Sequence, residues 1–266
     1  IDIEKQDVLE SEKLQSTEDL EKSLVSEVSE QKTYDNLWNM IQDELVLEGN
    51  ANRKKVKDRI AWFGRNQQYV DRVVKRAEPY LYHIVTKLKE RNMPLDLALL
   101  PIVESAFQPF AHSPSRASGI WQFLPATGRE WGLKSNWWYD GKRDIVASTD
   151  AAFNFLTYLY RRFDNDWLLA MAAYNAGPSR INRAIKKNKE EGKPTDFWSL
   201  KLPKETTAYV PKLLVLCELI KDPSSYGVVL PSIANRQYFV KVTIPGQVDL
   251  LQAADLAGMT PEAIYE

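Results

Sequence analysis

The chain has 266 residues, 44% of them hydrophobic and 11% aromatic, enough to bury a substantial core and too apolar for wholesale disorder. Its 35 basic and 36 acidic side chains leave a net charge of −1, which argues against a dedicated nucleic-acid binder. One cysteine, Cys217, cannot form an internal disulfide, and with only His83 and His112 as histidines a structural zinc site has almost no ligands.

The charge is unevenly spread. Residues 1–33 hold ten acids and four lysines, a net of −6, without aromatic residue, proline or glycine, so the remainder carries +5. This arm reads as an acidic linker or weakly helical tail. The chain opens at Ile1 rather than Met, so a trimmed targeting or lipid-anchor segment is expected before it. No apolar run reaches the ~18 residues needed to cross a bilayer. Residues 34–92 read as a helical extension. Leu37, Trp38, Ile41, Leu45 and Leu47 form one apolar face, and further helices are predicted over 51–63, 68–76 and 80–91, with Pro79 in the first turn of the last.

Asn92-Met93-Pro94 breaks the chain, and helix is predicted again from Leu95 to about Phe107. Asp144 should cap a long amphipathic helix with Ala152, Phe155, Leu156, Leu159 and Phe163 on its apolar face. Another is predicted from Trp167 to Tyr174, ending near Gly177, and a last long one from Glu205 to Leu219, bent or interrupted at Pro211. After Asp222 the composition changes. Tyr238 to Ile244 is rich in β-branched and aromatic residues and reads as a strand, followed by helix over 250–257 and a short one opening at Thr260.

Glu104 is the chemically distinctive residue. It follows an uncharged stretch, Leu97 to Val103, and on a helix Leu97, Leu100 and Pro101 share its side. A carboxylate against such a wall loses hydration, so its pKa should rise toward neutrality, as a general acid requires. The bland alternative is a buried Glu satisfied by an arginine or a backbone N–H. A polar loop with Ser113, Ser115 and Ser118 follows, then Gly119 and the amide of Gln122. Trp121, Trp131, Trp137, Trp138 and Trp167 lie within 47 residues of one another. They could be bundle core, or faces that stack on sugar rings. The adjacent Trp137 and Trp138, in a predicted loop, are the harder pair to bury.

Glu104-Ser105, then Gly119-Ile120-Trp121-Gln122, then Ala173-Tyr174-Asn175-Ala176-Gly177, with Glu205-Thr206 and Tyr209-Val210, is an ordered set. Over roughly residues 90–220 it resembles the signature of the soluble-lytic-transglycosylase-like family. The resemblance implies a mainly α, goose-type lysozyme-like catalytic domain over 93–222, followed by a truncated, LysM-like βαα segment over 223–266. It also implies cleavage of peptidoglycan between N-acetylmuramic acid and N-acetylglucosamine with closure of a 1,6-anhydro ring. Glu104 would be acid and then base, with Ser113, Ser115, Gln122, Tyr174, Asn175 and Tyr209 on the substrate, and no metal or cofactor. The family pattern has Gly-Leu-Met-Gln where this chain has Ile120 and Trp121 in the middle. A hydrolytic muramidase or a non-catalytic peptidoglycan-binding protein on the same fold are the competing readings. The substrate implies a periplasmic protein, held at the outer membrane by a removed lipidated segment, with a cell-wall regulatory protein as a further partner.

Overall fold

Apolar residues at helical spacing build the body, and a few polar side chains fix where each helix starts. The chain is described by a computed structural model over residues 32–47, 60, 62–243 and 246–260. The acidic arm up to residue 31, most of the helix predicted over 51–63 and all but the first residue of the helix opening at Thr260 lie outside those residues. Helix α1, Leu37–Asp43, starts where the Asn36 side chain accepts the Trp38 N–H at 3.1 Å, and buries Leu37, Trp38 and Ile41.

Helix α2, Gln67–Glu90, runs unbroken through Pro79. Two helices separated before Pro79 were expected; there is one. Proline removes a single backbone bond, and the buried stripe Val70, Val73, Val74, Ala77, Leu81, Ile84, Val85 and Leu88 continues in register on both sides of it. The next segment is also corrected. It is a 3-10 helix, Leu95–Leu99, leading into a short α3, Leu100–Ser105, and not one α-helix to Phe107. Ala106 and Phe107 both adopt left-handed backbone, with φ of 51° and 56°, and stop it.

Helix α4, Pro125–Glu130, follows the polar loop. Asp144 caps α5, Ile145–Arg162, as expected, accepting the Ala147 N–H at 2.8 Å. Asp166 caps α6, Trp167–Ala176, in the same way. Helix α6 buries Leu169 through Ala173 as a continuous run because it is packed by α5, by α7 (Pro178–Glu190) and by α8 (Lys204–Lys221). Gly177, at φ 84°, ends α6 and starts α7 within one residue. Pro211 lies inside α8 and is buried.

The N-terminal elements are bound into this body. Buried Asp96 accepts the N–H groups of Val46 and Leu47, both at 3.0 Å. Leu37 donates to the Ile233 carbonyl at 2.9 Å, and Asn235 to that of Asp35 at 2.8 Å. Beyond this point the expected strand is absent over the described residues 238–243. Tyr238, Val240 and Val242 are 62%, 68% and 73% exposed there, and among the described residues no strand offers an edge to pair with. Helix α9, Leu250–Ala257, forms where predicted, capped by Asp249. The mainly α class is borne out, while the small C-terminal α+β segment is reduced to its helix among the described residues.

Candidate active site

Helix α3 ends on Glu104 and Ser105, and three other elements close around that end. The Ser105 hydroxyl donates to the Ile120 carbonyl at 3.0 Å, which ties α3 to the loop 119–122. The neighbouring Trp121 carbonyl accepts the Tyr174 hydroxyl of α6 at 2.9 Å. From α8, the buried Tyr209 hydroxyl donates to Glu104 Oε1. Glu104 is thus held by a tyrosine and not by an arginine, although the residue is only half-buried. Asn175 is fixed through its Oδ1, which accepts the Thr206 hydroxyl of α8 at 2.9 Å.

Loss of hydration around the carboxyl pushes the Glu104 pKa up to about 7. The Tyr209 hydrogen bond and the Lys212 ammonium oppose the rise, and the Glu205 carboxylate adds to it. The same burial drives Tyr174 and Tyr209 well above the usual phenol range, with the Glu104 charge adding to both. At neutral pH the site therefore holds a carboxyl near half protonation facing two neutral phenols.

Backbone geometry keeps the loop in place. Gly119 has φ 79°, and a Cβ there would meet the Lys142 carbonyl oxygen at 1.9 Å. Gln122 is left-handed at φ 49°, and its Nε2 donates to the Gly119 carbonyl at 2.8 Å. Left-handed backbone at Ala106, Phe107 and Gln122 concentrates strain around Glu104, as at sites held for function.

The sequence-derived residues divide accordingly. Glu104, Tyr174 and Tyr209 come together, and Asn175 and Gln122 are fixed to the same frame. Tyr174, expected to reach the acid or the substrate, spends its proton on Trp121. Ser113 accepts the Ala117 N–H at 3.0 Å and so braces its own loop, while Ser115 is exposed. Sequence reasoning missed the Ser105 tether and Lys212. The second was legible, since 206, 209 and 212 recur at three-residue steps on one helix face.

Three aspartates further along the chain that could supply a second carboxylate are engaged elsewhere. Asp140 pairs with Lys142 at 2.6 Å, Asp144 caps α5, and Asp150 pairs with Arg91 at 2.7 Å. Trp121 and Trp131 are buried or half-buried in the body, whereas Trp137 and Trp138 are 88% and 91% exposed. They stand at the tip of a turn braced by the Asn136 side chain, which accepts the N–H groups of Trp138 and Tyr139, both at 2.8 Å. Among the described residues, no three His, Cys, Asp or Glu side chains gather as a metal site.

Residues 82–197 match the family described as Transglycosylase SLT domain. The membrane-bound lytic murein transglycosylase D of Escherichia coli K12 is 48% identical over 224 residues, which is 84% of this chain and 49% of that protein. This chain therefore spans about half the length of that relative. A protein of Alteromonas sp. strain M-1 named for tributyltin chloride resistance is 42% identical over 60% of this chain and 75% of its own length. Among solved structures, the 70 kDa soluble lytic transglycosylase of Escherichia coli is similar over 71% of this chain and 33% of that one, at 20% identity and a TM-score of 0.42.

Proposed function

The chain belongs to the lytic transglycosylase (SLT) family, and from that premise we propose that it cleaves the β-1,4 bond between N-acetylmuramic acid and N-acetylglucosamine in peptidoglycan. The observation that carries this is Glu104, a carboxyl with its pKa raised to about 7 and a tyrosine hydroxyl on one oxygen. The protonated carboxyl gives its proton to the glycosidic oxygen as the bond to the anomeric carbon breaks. The substrate's N-acetyl carbonyl stabilises the charge left on that carbon. Glu104, now a carboxylate, takes the proton of the muramoyl C6 hydroxyl as that oxygen attacks the anomeric carbon and closes the anhydro ring. Acid and base are the same group, so the second carboxylate of an ordinary glycosidase is not required.

Tyr209 steadies the carboxylate after the first transfer. Tyr174 and Asn175, each anchored by a neighbouring element, form the floor under the acid. The Nε2 of Gln122 is spent inside its loop, which leaves its carbonyl oxygen for a glycan N–H or hydroxyl. Ser113 and Ser115 sit on the rim for the N-acetyl group. Trp137 and Trp138 offer two exposed indole faces for sugar rings further along the strand.

Glu104→Gln should abolish release of anhydro-muropeptides from purified sacculi, read by mass spectrometry, with the helical circular dichroism unchanged. Full activity in that variant would refute the role. One observation favours a hydrolytic alternative: Glu205, in the first turn of α8, acts electrostatically on Glu104. Hydrolysis yields a product heavier by one water, so the same spectra separate the two.

Among the described residues no helix is long and apolar enough to cross a membrane. Peptidoglycan lies outside the cytoplasmic membrane, so the reading places the protein in the periplasm, attached to the outer membrane by a lipidated N-terminal segment. A LysM-like role in glycan binding for residues 223–266, and a regulatory protein of the cell wall as partner of the acidic arm, belong to the same reading.

A further inference from the structure

Helix α8 carries two hydroxyls three residues apart, Thr206 and Tyr209, which therefore share one face of the helix. Tyr209 donates to Glu104, and Thr206 donates to the Oδ1 of Asn175 at 2.9 Å. The proposed chemistry gives Tyr209 a task and leaves Thr206 without one. Thr206 is only 2% exposed, and among the described residues the Asn175 oxygen is the one hydrogen-bond partner of its side chain. A buried hydroxyl without an acceptor for its proton is costly. The oxygen of the Asn175 amide must therefore face α8, and its nitrogen must face away.

That nitrogen is left to meet a ligand. Asn175 is half-buried, and its Nδ2 makes no hydrogen bond to any described residue, yet it is not sealed from solvent. Its neighbours belong to the site around the acid. Tyr174, the preceding residue, reaches the Trp121 carbonyl at 2.9 Å, and Tyr209, one turn along α8 from Thr206, touches Glu104. The nitrogen end of an amide only donates and the oxygen end only accepts. Turned the other way, Asn175 would present an oxygen to the carbonyl and ether oxygens of a glycan and repel them. We infer that Thr206 is a positioning residue: by holding the Asn175 Oδ1 against α8, it aims the Nδ2 donor at an acceptor oxygen of the bound glycan. Thr206 does not itself reach the substrate, so its whole influence passes through Asn175. This rests on the peptidoglycan reading of the Glu104 site.

Because the effect runs through one amide, a double-mutant cycle on soluble glycan strands tests it. Thr206→Val keeps the shape, removes the hydroxyl and frees the amide to turn. It should lower kcat/KM for anhydro-muramoyl release about tenfold, the effect of one neutral hydrogen bond. Thr206→Ser retains the donor and should recover most of that loss. Once Asn175→Ala is present, adding Thr206→Val should change kcat/KM by less than about twofold. Equal losses with and without Asn175→Ala would overturn the inference, because Thr206 would then act only by packing. A change in the pH at which activity falls would overturn it too, since Thr206 would then act through Tyr209 and Glu104. A second arm uses Glu104→Gln and calorimetric titration with a soluble muramoyl tetrasaccharide. Binding that is about tenfold weaker with Thr206→Val, but indifferent to it once Asn175→Ala is present, supports the positioning role even if the wild type releases no anhydro product. Binding that ignores Thr206→Val defeats that role while leaving the chemistry at Glu104 intact.

Discussion

At Glu104 a desolvating environment and a hydrogen bond pull in opposite directions, and desolvation wins. The carboxyl ends with a pKa of about 7, compared with 4.5 for a free side chain. The acid form is the one that starts the reaction, so kcat/KM should fall as pH rises through about 7. Tyr209 donates to the carboxylate, which favours the charged form and holds the pKa down. Tyr209→Phe should therefore move the descending limb of the pH profile upward by about one unit, given ~1.5–3 kcal/mol for a hydrogen bond to a charged group and ~1.4 kcal/mol per unit. Its kcat should drop at the same time, because the carboxylate formed in the first step loses its donor. A limb that stays in place, or moves to lower pH, would show that the tyrosine does not stabilise the charged acid. The direction of the Glu104 shift was legible in the sequence from the uncharged run before it. The agents were not, because the tyrosines that enclose the carboxyl lie 70 and 105 positions further along the chain.

Elements with a local cause were the ones the sequence specified well. Asp144 and Asp249 mark helix starts because a carboxylate satisfies N–H groups two or three residues away. Gly177 marks a helix end because left-handed backbone costs little only there. Gly119 belongs with these, since its lack of a side chain lets the 119–122 loop lie directly on the Lys142 peptide. Gly119→Ala should destabilise the fold by about 3 kcal/mol or more, combining overpacking with left-handed strain. Thermal unfolding measures this, and a shift of less than about 1 kcal/mol would mean that the loop yields without cost. Elements whose fate depends on distant partners were misread. Pro79 by itself suits the first turn of a helix, yet packing on both sides carries α2 through it. Residues 238–243 have strand composition but no partner strand among the described residues.

At the scale of the molecule, the N-terminal extension, the catalytic helices and the segment around Ile233 share one buried core. Asp96 is a central fastener: its two carboxylate oxygens take the N–H groups of Val46 and Leu47, some 50 residues away in sequence. Asp96→Ala should cost about 3 kcal/mol, from two backbone donors left without an acceptor, and should loosen α1 first. Hydrogen exchange that quickens at residues 37–47 before the core of α6 would bear this out, while uniform exchange would place the fastening elsewhere. The sequence by itself determined the helical class, the helix caps and an ordered set of motifs around one carboxyl, because each depends on spacing within a few turns of chain. Only the tertiary structure decided that Tyr209 holds that carboxyl, that Tyr174 serves the loop instead, and that Thr206 holds Asn175 beside them. Those outcomes are set by which distant side chains share a desolvated space, a property that no local pattern encodes.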